Sequence, residues 1–168
     1  GAVVDGWFLP ADVESLYARG KQHDVPLLIG MMADEASAFP GYDQKRAVVL
    51  RKRSIDAFGE LLKERARTSK KPAYVYYFEH AIPWPEHPRF AAFHSGELPY
   101  TFDNLDLLPR PWTDVDRALA RTVSSYWVNF SSKGDPNAAS LPPWPAFTAA
   151  GSPIMVFADT ASARPLSN

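Results

Sequence analysis

The segment VPLLIG, residues Val25 to Gly30, is a continuous apolar run with turn residues on both sides. Such a run predicts a strand buried on both faces, as in parallel sheets. A helical spacing of apolar residues follows from Ser54, the expected N-cap, to about Thr68. The aromatic and β-branched segment AYVYYF, Ala73 to Phe78, then predicts a second strand. A helix between two strands is the pattern of a βαβ unit with a right-handed crossover.

A long amphipathic helix is predicted from Trp112 to Phe130 by the helical spacing of its apolar residues. Thr113 and Asp116 form a start that resembles a capping box, and Gly134 supplies a C-terminal stop. The aromatic residues along this helix are expected in the core rather than on a ligand-binding surface.

Shorter elements complete the expected order. Pro10 opens a helical turn that ends at about Arg19, and Ile154–Phe157 predicts a last strand before a polar tail from Asp159 to Asn168. The order β-α-β-loop-α-β predicts an α/β domain with about three mostly parallel strands and flanking helices. This is half of a doubly wound sheet, so the sheet is expected to be incomplete.

Composition limits the class of protein. The 168 residues are enough for one domain, and 46% hydrophobic residues indicate a globular chain with a sizeable core. A formal net charge of −1 gives no sign of a nucleic-acid partner or an anionic membrane surface. The absence of cysteine excludes disulfides and thiolate nucleophiles and leaves the cellular compartment open. No apolar run is long enough to span a bilayer.

The stretch FAAFHSGELPYTF, from Phe90 to Phe102, places His94 in a turn. Imidazole changes charge near neutral pH, so His94 is a candidate for proton transfer, although local features alone favour a structural loop histidine. Glu35 follows the first strand beside Asp34, and residues after neighbouring parallel strands converge on one sheet edge. A carboxylate on one imidazole nitrogen fixes the tautomer and leaves the other nitrogen as a base, which is two-thirds of a nucleophilic triad.

The third member of such a triad is missing. No Gly-x-Ser-x-Gly motif occurs in the chain, and neither does a glycine-rich oxyanion segment. Ser95 adjoins His94, but a neighbour on the same turn cannot easily present its oxygen to that imidazole. The order serine, acid, histidine would place both missing pieces before Gly1.

Other roles for the histidines are weaker. His94 and Glu97 have the spacing His-x-x-Glu, but no second histidine lies at helical spacing, so no metal site is expected. His80 and His87, beside proline-rich sequence, are expected to be surface or loop residues. His23 lies in a polar turn and is assigned no role.

The chain resembles the type B carboxylesterase family, the α/β-hydrolases that include cholinesterases and bacterial para-nitrobenzyl esterases. Four segments in the family's order carry the likeness, and together they extend from Gly1 to about Phe157. These segments are a lead-in at Val3–Pro10, an acid-bearing segment at Val25–Glu35, a histidine-bearing segment at Ala92–Tyr100, and a late helix and turn at Tyr126–Phe130 and Gly134–Asn137.

The resemblance implies that residues 1–168 are the C-terminal subdomain of an α/β-hydrolase that cleaves carboxylic esters. Glu35 would be the triad acid and His94 the catalytic base, with Glu97 as a supporting residue behind them. The serine and oxyanion hole would belong to an upstream, N-terminal part of the same protein, so the isolated chain is expected to be inert. The expected partners are a small-molecule ester and that upstream part, without a cofactor or metal.

This sequence departs from the family in two places. Ala36 stands where the family usually has glycine after the acid, and the interval from Ala36 to Ser54 is short where the family inserts a longer helical region that helps roof the gorge. An aromatic wall around Phe93, Tyr100 and Phe102 would favour apolar ester groups.

Two further classes of function stay open. Some relatives of this fold serve in adhesion, which makes a non-catalytic binding module the main alternative. Retention of both Glu35 and His94 argues against it. A domain that is stable alone, with an unrelated interaction role, would be a monomer without a large apolar patch, whereas a half-sheet should expose core and a strand edge and associate.

Overall fold

The computed structural model describes residues 3–150 and 153–165. Its strands are β1 (Leu27–Met32), β2 (Ala73–Phe78), β3 (Ile154–Phe157) and β4 (Ala161–Arg164). Its helices are α1 (Val13–Ala18), α2 (Gln44–Thr68), α3 (Leu98–Thr101) and α4 (Asp114–Lys133), with 3₁₀ turns at Pro88–Phe90 and Leu105–Leu107. The described strands form one sheet in the order β1-β2-β3-β4. β1, β2 and β3 are parallel, and β4 is antiparallel to β3, which confirms the predicted α/β fold with a mostly parallel sheet.

β1 begins at Leu27, two residues later than the apolar run suggested, and continues through Met32. Val25 is exposed, and Pro26 has no N–H to give to a sheet. Met32 at the other end pairs with Phe78 of β2. The prediction that this strand is buried on both faces is wrong for most of its length, because every residue but Met32 is only partly buried in this edge strand of the described sheet.

Gly30 allows β1 and β2 to lie close together. A Cβ at this position would fall 2.4 Å from the ring and the carbonyl oxygen of Tyr76. Such a contact is impossible without backbone movement, so the aromatic ring of the neighbouring strand requires glycine here.

The amphipathic helix predicted along the later part of the chain is confirmed as α4. Thr113 and Asp116 form a complete capping box, and Gly134 ends the helix in the left-handed conformation with φ of +73°. The buried face of α4 packs on β2 and β3 through aromatic contacts such as Tyr126 with Phe157 and Trp144. This cluster is the larger of two apolar clusters.

α2 starts ten residues earlier than predicted. Its N-cap is Asp43, whose Oδ1 accepts from the Arg46 backbone N–H at 2.8 Å, and Ser54 lies inside the helix. The second half of α2 packs Leu62 on the opposite face of the sheet from α4, in the smaller apolar cluster. The short interval after the acid is therefore mostly helix.

β4 occupies part of the segment that was predicted to be a polar tail. Ala161–Arg164 pairs antiparallel with β3, and Arg164 Nη2 lies 2.7 Å from Glu79 Oε2. The last three residues of the predicted tail lie outside the described residues. The sheet therefore has one strand more than the sequence suggested.

Several large apolar side chains are exposed, as expected of an incomplete sheet. Trp7 and Phe8 lie on the surface near the start of the chain, and Phe102 and Val128 on the surface of α3 and α4. β1 leaves one edge unpaired within the described residues. No helix in the described ranges is both long and apolar enough to cross a membrane.

Candidate active site

Glu35 lies in a turn directly after β1. The turn runs from Asp34 to Ser37 and is closed by a hydrogen bond from the Ser37 N–H to the Asp34 carbonyl at 2.9 Å. The Glu35 side chain folds back, and its Oε1 accepts from the Met32 N–H at 2.9 Å. One carboxylate oxygen is thereby fixed, and the other is left for a second partner.

That second partner is His94. Glu35 Oε2 lies 2.6 Å from His94 Nδ1, although 59 positions separate the two residues. An ionised carboxylate can only accept, so a hydrogen bond in this contact requires the proton on Nδ1, and a neutral ring would then have its lone pair on Nε2. The side chains of His94 and Glu35 are 60% and 43% exposed, so the pair lies at the surface.

The two loops that carry the pair are tied together. An isolated parallel bridge joins Asp34 to Phe93, and the Asp34 N–H donates to the Ala92 carbonyl at 3.0 Å. Ser37 Oγ donates to the Phe90 carbonyl at 2.5 Å. The convergence of these two loops on one sheet edge is what the sequence predicted from parallel strands.

A tight turn presents His94. Ser95 has a φ of +65°, and the Gly96 N–H donates to the Phe93 carbonyl at 2.9 Å. A Cβ on Gly96 would lie 2.9 Å from both that carbonyl and the Ile82 side chain, so only glycine fits.

Glu97, which the resemblance suggested as a supporting residue, follows His94 by three positions. Its side chain is partly buried, and Oε1 lies 3.4 Å from the Tyr76 hydroxyl. Oε2 is buried without a hydrogen-bond partner among the described residues. Burial raises the pKa of Glu97, and the charge of Glu35 raises it further. Glu97 therefore binds a proton more readily than an exposed glutamate does.

The aromatic wall predicted around His94 is only partly present. Tyr100 is fully buried and donates its hydroxyl to Asp116 at 2.6 Å, so its place in that wall is wrong. Phe93 is partly buried and Phe102 is exposed. Phe39, which the sequence analysis did not single out, has its ring centroid 6.2 Å from that of His94.

A cavity of about 210 Å³ adjoins Glu35 between the end of β1 and the start of α2. It is lined mainly by small and apolar side chains, among them Met31, Ala36 and Val48. Glu35 lines this cavity and His94 does not, so the cavity reaches only the carboxylate of the pair.

A second histidine with carboxylate partners lies inside the fold. His80 Nε2 is 2.9 Å from Asp116 Oδ1, and Nδ1 is 2.9 Å from Asp159 Oδ1. His80 lies in a loop, which is one of the two predicted alternatives, but its side chain is only 10% exposed and that of Asp116 3%, so it does not lie on the surface. No local sequence pattern indicated this cluster, because its members lie on separate elements.

Asp116 is ionised in this cluster. Burial opposes its charge, but hydrogen bonds from Thr113, Tyr100 and His80 outweigh that cost and lower its pKa to about 2.

Within the described residues, no group of three or more histidine and carboxylate side chains could hold a metal ion.

The chain was compared with protein families. Residues 58–165, more than half of its length, match the profile of the carboxylesterase family. This chain belongs to the carboxylesterase family. The match confirms the resemblance inferred from the sequence. It includes His94 and Glu97 but begins after Glu35.

Curated relatives agree with the family assignment. The chain is 25% identical over 198 residues to acylcarnitine hydrolase of Rattus norvegicus, covering 86% of this chain and 35% of that protein. It is 28% identical over 182 residues to para-nitrobenzyl esterase of Bacillus subtilis (strain 168), covering 86% and 36%. It is 34% identical over 85 residues to cocaine esterase of Homo sapiens, covering 47% and 15%.

The chain thus spans about a third of the length of the first two of these relatives. Each of those alignments is also longer than the whole chain, so each includes positions that have no counterpart in this chain. Among solved structures, a thermophilic para-nitrobenzyl esterase superposes with a TM-score of 0.69 at 23% identity, covering 94% of this chain and 39% of that one. This structural similarity supports the α/β-hydrolase fold for the chain.

Proposed function

We propose that this chain supplies the acid and the base of a serine-type carboxylic-ester hydrolase. The observation that carries the proposal is the 2.6 Å contact between Glu35 Oε2 and His94 Nδ1. Membership of the carboxylesterase family supports the reaction class. The chain's one-third share of its relatives' length supports an upstream part that carries the serine and the oxyanion hole.

In the proposed mechanism, His94 Nε2 takes the proton of the upstream serine as its oxygen bonds to the ester carbonyl carbon. Glu35 stabilises the resulting imidazolium through Nδ1. When the carbon–alkoxide bond breaks, Nε2 returns the proton to the leaving alcohol. Water then repeats the sequence on the acyl-enzyme and releases the acid.

Glu97 is proposed as a supporting residue. With Glu97 ionised, its negative charge would help to stabilise the imidazolium of His94. With Glu97 protonated, Glu35 alone would stabilise that imidazolium. Its raised pKa and its buried Oε2, which has no hydrogen-bond partner among the described residues, support this role. The nearby rings of Phe39 and Phe93 favour esters with an apolar group.

The test compares the purified chain, alone and mixed with an upstream part that contains Gly-x-Ser-x-Gly, in p-nitrophenyl acetate turnover. We expect no turnover from the chain alone and turnover from the complex. In the complex, H94A should lower kcat by about 10³-fold or more and E35Q by less. H23A is the matched control, because His23 is exposed and precedes β1, at the opposite end of that strand from Glu35.

Two results would contradict the proposal. Turnover by the isolated chain that H94A abolishes would mean that the nucleophile lies within these residues. Turnover by the complex that H94A leaves unchanged would remove His94 from the reaction.

A binding module is the second candidate, and the exposed apolar side chains of Trp7, Phe8, Phe102 and Val128 favour it. It predicts stable association with the upstream part or another protein without turnover by the complex. Light scattering of the chain, measured beside the turnover assay, distinguishes association alone from association with catalysis.

A further inference from the structure

Ala91 has an unusual backbone conformation three residues before His94. Its φ of +46° lies in the region that favours glycine, and its ψ is −121°. An L-residue keeps such a conformation only where its surroundings hold it. The shape of the loop that carries His94 therefore depends on contacts around Ala91.

Those contacts come from both sides of Ala91. Before it, the Phe90 carbonyl accepts from Ser37 Oγ at 2.5 Å. After it, the Ala92 carbonyl accepts from the Asp34 N–H at 3.0 Å, and the Ala92 N–H donates to Asp34 Oδ2 at 3.3 Å. The carbonyl of Ala91 itself accepts from the Ile82 N–H at 3.1 Å.

Two of these bonds depend on side chains, and both side chains lie in the turn that carries Glu35. Asp34 precedes Glu35 by one residue, and Ser37 follows it by two. The Ser37 side chain is fully buried, so its hydroxyl serves this contact and not solvent. The turn that presents the acid thus also fixes the backbone that presents the base.

We propose that Ser37 and Asp34 are positioning residues, which hold the loop at Ala91 so that His94 Nδ1 meets Glu35 Oε2. The catalytic meaning of this role rests on the proposed ester hydrolysis, but the contact itself can be measured without any turnover. We expect Ser37 to contribute more than Asp34, since its hydrogen bond is shorter and its side chain is fully buried.

The tautomer of His94 indicates whether its Nδ1 is in contact with Glu35 Oε2. With Glu35 accepting from Nδ1, the neutral ring keeps its proton there, and a ring released from Glu35 moves toward the Nε2–H form. Two-bond ¹H–¹⁵N correlation spectra of the 168-residue chain at about pH 9, above the ordinary imidazole range, measure the ratio of the two forms. The measurement uses carbon-bound protons, so the exposure of His94 does not obscure it.

The first variant is Ser37→Ala. It removes the hydroxyl and keeps the small volume, and we expect the ratio of Nδ1–H to Nε2–H to fall by about threefold to tenfold, the effect of one lost hydrogen bond. Ser125→Ala is the matched control. Ser125 also donates to a backbone carbonyl, but it lies exposed on α4. The control should leave the ratio unchanged.

The second pair of variants is Asp34→Ala and Asp34→Asn. Asparagine keeps an oxygen that can accept from the Ala92 N–H, so it should preserve the ratio, whereas alanine should lower it by less than Ser37→Ala does. This pair carries the test if Ser37→Ala fails to fold, because the backbone bond of Asp34 is retained in both variants.

A folded Ser37→Ala or Asp34→Ala chain with an unchanged ratio overturns the positioning role of that residue. If Asp34→Asn lowers the ratio of Nδ1–H to Nε2–H as much as Asp34→Ala does, the role of the Asp34 hydrogen bond is overturned. An inert complex with the expected tautomer changes would refute the proposed function alone, so the two failures are distinguishable.

Discussion

The molecule contains two histidine–carboxylate contacts of similar length in opposite environments. His80 and Asp116 are buried and meet at 2.9 Å, whereas His94 and Glu35 are exposed and meet at 2.6 Å. Asp116 also accepts from Tyr100 and Thr113, while Glu35 has one further donor, the Met32 N–H. Both ring nitrogens of His80 contact carboxylates, which suits a structural role, whereas only Nδ1 of His94 has such a partner among the described residues, as the proposed proton transfer requires.

Removing Asp116 should have the largest effect. D116A leaves His80 Nε2 and the buried Tyr100 hydroxyl without this acceptor, and we expect it to lower the free energy of unfolding by about 3 kcal/mol or more. Urea denaturation followed by circular dichroism measures this change. D114A is the control, since Asp114 is exposed in the same helical turn, and an equal loss there would refute the difference in environment.

Acid should destabilise the folded chain by protonating Asp116. The pKa of Asp116 falls from 3.8 to about 2 on folding, so the unfolded chain takes up the proton first. The stabilisation is complete above about pH 4 and is lost as the pH falls toward 2, amounting to roughly 2 kcal/mol. Unfolding curves over this range should be flatter for D116N than for the wild-type chain. Parallel curves would contradict the assignment.

Y100F tests one hydrogen bond of the buried cluster. It removes the hydroxyl that donates to Asp116 and keeps the ring in the core, so we expect a loss of about 1–1.5 kcal/mol. Y42F removes a hydroxyl from a partly exposed ring and should change stability little. Equal effects in the same denaturation experiment would mean that Tyr100 contributes through its ring alone.

E97Q should change the free energy of unfolding by less than these variants do, and it should raise it. Burial raises the pKa of Glu97, so the folded state prefers the protonated carboxyl and loses stability as the pH rises through that pKa. The glutamine variant should be more stable than wild type at about pH 8 and nearly equal at about pH 3, below the ordinary range of glutamate. A difference that does not vary with pH would contradict the burial argument.

E35Q and H94A should have the smallest effect on stability. The pair is exposed, and exposed ion pairs contribute little, so we expect a change within about 0.5 kcal/mol. Calorimetry of both variants measures it. A loss as large as that of D116A would make the Glu35–His94 contact structural and would remove the contrast between the two histidines.

The sequence predicted the elements whose signals are local. The apolar run before Asp34 and the capping box at Thr113 each specify their own structure, and parallel strands bring Glu35 and His94 to one edge. The start of α2 was missed because its first turns are mostly exposed and lack an apolar stripe. β4 was missed because Ala161–Arg164 contains no β-branched or aromatic residue and is held by pairing with β3.

The burial of His80 could not be predicted from the residues next to it in the sequence. Its partners Asp116 and Asp159 lie 36 and 79 positions away, at the start of α4 and after β3. The proline-rich sequence that follows His80 indicates a loop, and loops usually lie at the surface. Only the packing of α4 against the sheet brings the carboxylates to this histidine.

The register of the sheet has a consequence for the order of folding. Leu27 pairs with Ala73, and Tyr76 with Met155, so each parallel contact closes a long loop, whereas α4 is a local element with both ends capped. We expect α4 to nucleate early and the parallel strands to join it slowly. The loops that carry Glu35 and His94 follow those strands, so they acquire their final geometry among the last steps of folding.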